Sequence, residues 1–223
     1  MTDKNLNESV YKFILDQILS NKYKPGDKIQ EAKLAADFGT SRTPIREALR
    51  SLADDGIITI YPKRVAEVAQ MDEETMRQIG LVRIHLDILA ARLAVHNGSN
   101  ADFDQMFEHS KLCLEAANAN DTARRIREDC AFHCELSRIS KNSQLHEFCS
   151  NLYLKIEFIQ SWRPAFLEVP AEQHRQHENI YKALLNRDEK TVSELIIRHH
   201  VHFHNLEEYY PFNWIYKASY HNH

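Results

Sequence analysis

Between Phe38 and Pro44 the chain has very few folding options. The stretch "QEAKLAADFG" reads as a short helix stopped at Gly39, where only glycine takes the left-handed conformation cheaply. Three residues, "TSR", separate it from "TPIREALRSLADDG", in which Thr43 can cap and Pro44 suits a first helical turn. Helix, tight turn, helix is helix-turn-helix spacing. Upstream, "ESVYKFILDQILSNKY" sets Val10, Phe13, Ile14, Ile18 and Leu19 at a helical period. Downstream, "DGIITIYPKRVAEVAQ" reads as a two-stranded hairpin with a basic tip at Lys63 and Arg64. A helix-turn-helix followed by a basic hairpin is a winged helix.

The second helix of the pair carries chemistry suited to DNA. Arg42, Arg46 and Arg50 recur at steps of four, a stripe drifting about 40° per step. Ile45, Ala48, Leu49 and Leu52 form the apolar side. An N-terminal turn presenting Ser41, Arg42, Thr43 and Arg46 meets the needs of major-groove reading, because Arg contacts guanine O6 and N7 in bidentate fashion and hydroxyls reach bases or phosphates. The ordinary alternative is a solvated Arg face on a structural helix. The wing tip is expected on phosphates or in the adjacent minor groove.

Charge limits what kind of DNA contact this can be. The chain has a formal net charge of −4 and a pI near 6.3, so binding must come from a local patch. Residues 1–70 hold 11 of the 28 Lys+Arg and 10 of the 32 Asp+Glu, and none of the 13 His. Two chemically different stretches predict two domains, 1–70 and 71–223. No run of some 18 apolar residues exists, and "MTDKNLNESVYKF" lacks the pattern of a secretory signal, so a soluble cytoplasmic protein without membrane association is expected. Cys113, Cys130, Cys134 and Cys149 have no framework spacing and are expected as reduced, packing thiols, with a redox switch as the lesser reading.

From Asp72 onward the pattern is helical, with stretches near 73–97, 101–118, 121–140, 142–163, 171–186 and 189–209. Six helices in about 150 residues predict an all-α bundle. Within it, "REDCAFHCEL" places Asp129 and His133 four apart, on one helix face. Taken alone, that pair is more often a hydrogen bond than a metal site. The last two helices turn at Arg187–Asp188, and His177 and His199 each lie 11 residues from Asp188. Equal distance from the turn puts both at one height, roughly 16 Å along antiparallel helices. One Asp and three His suit Zn, Ni, Mn or Fe(II) and leave coordination positions open. Rivals by spacing are His174, three from His177, and His200, four from His204. His199 and His200 stand about 100° apart, so only one is expected to face inward. An enzyme reading, a metal-assisted hydrolase or a di-iron bundle, uses the same residues, but the chain has no Glu-x-x-His motif.

Over residues 24–58, "KPGDKIQEAKLAADFGTSRTPIREALRSLADDGII" resembles the DNA-binding domain of the GntR superfamily of bacterial transcription regulators. The resemblance implies base or phosphate contact by Arg42, Thr43 and Arg46, with Ser41 at the helix entrance. Lys33, Arg50, Lys63 and Arg64 complete the expected DNA-facing set. The chain departs from the pattern at Ala32, where many relatives have Arg, and at Val65, where the wing tip often has Gly. The segments "DCAFHCELSRISKN", "QHENIYKALLNRD" and "SELIIRHH" resemble the FCD ligand-binding domain of the FadR-like branch. That likeness implies metal ligation by Asp129, His133, His177 and His199, and help from Arg83 in holding a carboxylate effector. The aromatic tail "YYPFNWIYKASYHNH" extends beyond the resemblance. The expected protein is a mostly helical, DNA-binding transcriptional repressor, homodimeric because one winged helix reads only a half-site.

Overall fold

Nine helices and one three-stranded sheet are built from the described residues, which are 3–62, 65–163, 169–203 and 206 of this computed structural model. They divide into two units, each with its own core.

The first unit begins with α1 (Asp3–Leu19), whose Val10, Ile14 and Ile18 are fully buried. β1 (Lys28–Ile29) leads into α2 (Glu31–Phe38), which ends at Gly39 with φ 79, its N–H bonded to Ala35 O. A side chain on Gly39 would meet nothing within 4 Å, so the glycine is there for its backbone angle alone. α3 (Arg42–Asp54) buries Ile45, Ala48, Leu49 and Leu52, the four apolar positions read from its sequence. Its N-cap is Ser41, and Thr43 sits inside the first turn, so the expected capping role of Thr43 does not hold. β2 (Ile58–Tyr61) and β3 (Val65–Val68) form the expected hairpin. A third strand was not foreseen: β1 pairs antiparallel with β3, giving the order β1-β3-β2.

The second unit contains α4 (Glu73–Asn97), α5 (Asn100–Asn118), α6 (Thr122–Ile139), the first half of α7 (Ser143–Trp162), α8 (Pro170–Leu185) and α9 (Glu189–Phe203). The caps are polar as the sequence cues required. Asp72 accepts from Thr75 N, Ser99 and Asp102 form a capping box, and Asp121 accepts from Arg124 N. Arg187, at φ 56, turns the chain between α8 and α9 as predicted. The division at residue 70 is less simple than two contiguous stretches. From Tyr153 onward α7 belongs with the first unit, where Phe158 is 1% exposed in the same apolar cluster as Val10, Ile14 and Leu52.

One packing detail gives a direct test of the helical core. A Cβ on Gly98, between α4 and α5, would fall 2.5 Å from Ile139 Cγ2, 2.7 Å from Phe103 Cε1 and 2.8 Å from the backbone oxygen of Ala94. The backbone oxygen cannot swing away. Gly98→Ala is therefore expected to cost about 1–3 kcal/mol, the usual range for overpacking, seen as a lower denaturation midpoint.

Candidate metal centre and nucleic-acid interface

The long helices of the second unit carry a group of polar side chains where apolar packing would be expected. Asp129 and His133 project from α6, His177 from α8 and His199 from α9, each at most 4% exposed. One ligand atom from each falls within 4.8 Å of the others. His133 Nε2 stands 3.1 Å from His199 Nε2, and His177 Nε2 stands 3.4 Å from Asp129 Oδ1. Phe132 stacks on the His177 ring at 4.0 Å and fixes its plane.

The outer nitrogens of these rings are occupied elsewhere. His177 Nδ1 bonds Ser110 Oγ at 3.2 Å, and His199 Nδ1 donates to Gln176 Oε1. His133 Nδ1 faces the Asp87 carboxylate at 3.5 Å. Asp129 Oδ1 accepts from Gln173 Nε2 at 2.7 Å, and Gln173 Oε1 accepts from Arg125 Nη2 at 2.8 Å. With each Nδ1 turned outward, the three Nε2 atoms converge on the carboxylate. His177 Nε2 is buried without a hydrogen-bond partner. If Nδ1 carries the proton toward Ser110, a lone pair on Nε2 faces a carboxylate oxygen, an arrangement that a cation between them relieves, so the residues fit a metal ion.

Electrostatics points the same way. Burial pushes the His177 pKa down to about 3, against the smaller opposing pull of Asp129, and the nearby Arg83 guanidinium lowers it further. His199 lies well below the ordinary histidine value, first through burial and then through His200 and His133. Both imidazoles are therefore neutral at neutral pH, the form that ligates metal. Arg83 itself is 1% exposed on α4.

The rival ligands go elsewhere. His174 Nδ1 bonds Ser110 Oγ at 3.0 Å, and His204 lies outside the described residues, as does the aromatic tail. His200 is a correction. It is fully buried alongside His199, so both face inward, and its Nε2 donates to Asp87 Oδ2 at 2.7 Å. Three of the thiols are poor nucleophiles: burial raises Cys113 and Cys149 to about 12, and Cys134 is raised too. Sequence reasoning missed Asp87, Ser110, Gln173 and Gln176. Asp87 did leave a signal, as a charge four residues after Arg83 in the apolar run "LVRIHLDILAARLAV".

In the first unit, Ser41, Arg42 and Thr43 are exposed at the start of α3, and Lys33 and Arg50 are exposed nearby. Ser41 makes no side-chain cap bond, and no acidic residue lies in the first turn, so backbone N–H groups and two hydroxyls remain open to an anion. Arg46 is half-buried, its Nε 2.7 Å from Glu31 Oε2. Glu31, Arg46, Leu49, Arg50, Ile60 and Ala66 line a shallow groove between α3 and the hairpin. Lys63 and Arg64 lie outside the described residues.

Comparison with known proteins gives two family matches along the chain. Residues 78–202 match the FCD domain family, and residues 6–68 match the bacterial regulatory proteins of the gntR family. The chain is 24% identical over 195 residues to an uncharacterized HTH-type transcriptional regulator, YdhC, of Bacillus subtilis, covering 86% of each chain. It is 24% identical over 197 residues to the HTH-type transcriptional repressor RspR of Escherichia coli, covering 87% of this chain and 85% of that one. Among solved structures, E. coli McbR/YncC matches with a TM-score of 0.75 at 21% identity, covering 96% of this chain and 99% of that one, which shows a common fold. These families are regulators, and the enzyme reading of the Asp/His cluster is set aside.

Proposed function

The chain belongs to the FadR-like gntR family of bacterial regulatory proteins, joining a gntR helix-turn-helix domain to an FCD domain, and on that premise we propose a ligand-responsive operator-binding repressor with a metal-centred sensor. Repression is supported by relatives named as repressors, RspR and GlaR of E. coli. No described helix is long and apolar enough to cross a membrane, which accords with action on cytoplasmic DNA. A homodimer is the natural form, because two-fold symmetry lets two copies of α3 read two half-sites.

One observation carries the sensor: three buried Nε2 atoms and the Asp129 carboxylate converge while each Nδ1 is held outward. Zn, Ni, Mn or Fe(II) suits this donor set and, when bound, supplies net positive charge and open coordination positions. Asp129, His133, His177 and His199 would hold the ion. Arg83, buried and close enough to lower both His177 and His199, would meet a small carboxylate effector. Such a ligand alters DNA binding only by binding two arrangements of the dimer with different affinity.

The test is an operator titration on metal-loaded and chelator-stripped protein, with and without a carboxylate chosen by thermal shift from small mono-, di- and tricarboxylates. The loaded protein should change operator affinity about 5–150-fold with ligand, the usual range of coupling. An unchanged response after stripping would remove the four residues from the sensing role.

A further inference from the structure

The reading above uses four ligands and Arg83, and leaves a fully buried carboxylate unexplained. Asp87 lies on α4 with no exposed surface, in a helix otherwise packed through Ile84, Ala90, Ala91 and Ala94. Burying an ionised carboxylate costs several kcal/mol unless it has charged or hydrogen-bonding partners. Those partners are specific. Asp87 Oδ2 takes the Nε2–H of His200 at 2.7 Å and stands 3.5 Å from Nδ1 of His133. The His133 ring packs 4.8 Å from the His200 ring, centroid to centroid, so the two imidazoles share one carboxylate oxygen.

The geometry points to Asp87 as a positioning residue of the metal centre, and we propose that it fixes the tautomer of His133. A neutral imidazole carries one proton, and whichever nitrogen holds it cannot ligate. A carboxylate beside Nδ1 draws the proton there and leaves Nε2 bare toward His199, His177 and Asp129. The negative charge also makes the imidazole a stronger donor to a cation. Asp87 is the carboxylate that His133 Nδ1 faces. Ser110 and Gln176, both neutral, serve His177 and His199. His200, a donor to the shared oxygen, locks the carboxylate in place and so does its work without touching the ion.

This inference rests on the metal reading, and the experiment separates the two. Zn affinity would be measured by chelator competition on the full-length parent, Asp87→Asn, Asp87→Ala and His177→Ala, with circular dichroism to confirm helical content. Asp87→Asn, which keeps shape but loses charge, should bind Zn about 10–100-fold more weakly, the range typical of outer-shell partners, with Asp87→Ala at least as weak. His177→Ala should lose tight binding altogether. In the Zn-loaded parent the Nδ1 proton of His133 should appear as a strongly downfield, slowly exchanging 1H resonance on 15N, and in Asp87→Asn it should move upfield and exchange faster, a change that a merely structural carboxylate would not produce. Zn affinity within twofold of the parent in both Asp87 variants, or an unmoved His133 Nδ1–H resonance, would overturn the role of Asp87 while His177→Ala still upheld the metal. A parent that binds no Zn would end both.

Discussion

The parent is expected to carry about one divalent ion per chain, and His177→Ala to purify without it. Structural zinc sites bind with some 10–16 kcal/mol spread over four ligands, so one ligand is worth roughly 2.5–4 kcal/mol, a loss of about 60–700-fold. His177 is the clearest choice, because it is fully buried, its plane is set by Phe132, and its Nε2 faces Asp129 at 3.4 Å. His199→Ala should behave alike. His174→Ala and His200→Ala should still load an ion, because His174 bonds Ser110 and His200 bonds Asp87. Elemental analysis after dialysis decides it, and parent-like metal in His177→Ala would strike that residue from the ligand set. Acid sensitivity follows from the same burial. A folded pKa held below the ordinary 6.5, at about 3 for His177, means the unfolded imidazole takes a proton the folded one refuses. The metal-free chain should therefore lose stability as pH falls below about 6.5 and continue losing it toward the folded values.

The second large effect is expected on DNA. Arg42→Ala should cost about 1–3 kcal/mol of operator affinity relative to unrelated DNA if the guanidinium makes a bidentate base contact. Arg42 is exposed at the first turn of α3, where backbone N–H groups are also open, so it has both reach and a favourable field. Arg46→Ala should give a loss of the same order for a different reason. Its ion pair with Glu31 is worth little to stability, about 0–1 kcal/mol, but holds the guanidinium in one orientation before DNA arrives. Fluorescence anisotropy against operator and scrambled DNA would read both. Equal affinity of both variants and parent for operator would mean that α3 is not the reading helix.

Much of this was legible in the sequence because helical period and spacing are local properties. The α6 pair emerged from a separation of four, and the α8/α9 pair from equal distance to Asp188. What escaped depends on neighbours distant in sequence. β1 is two residues long and leaves no alternation to detect. The rule that His199 and His200 cannot both face inward assumes a helix with one buried face. α9 packs against both α4 and α8, so residues 100° apart are both covered, one meeting Asp87 and the other Gln176. The helical period of α7 says that one side is apolar but not that Phe158 joins Val10 and Leu52.

That placement of Phe158 sets an order in time. A nascent chain that has released residues through Met71 still lacks the piece of α7, Tyr153 onward, that closes the first core. At about 5–20 residues per second, the ribosome needs roughly 4–16 s to make the intervening segment. During that interval the first unit is expected to have part of its apolar face uncovered, and it is completed only once α4, α5, α6 and the start of α7 have been made. A chain ending before Tyr153 would leave that face open, so its first unit is expected to be less stable than the same residues in the full-length protein.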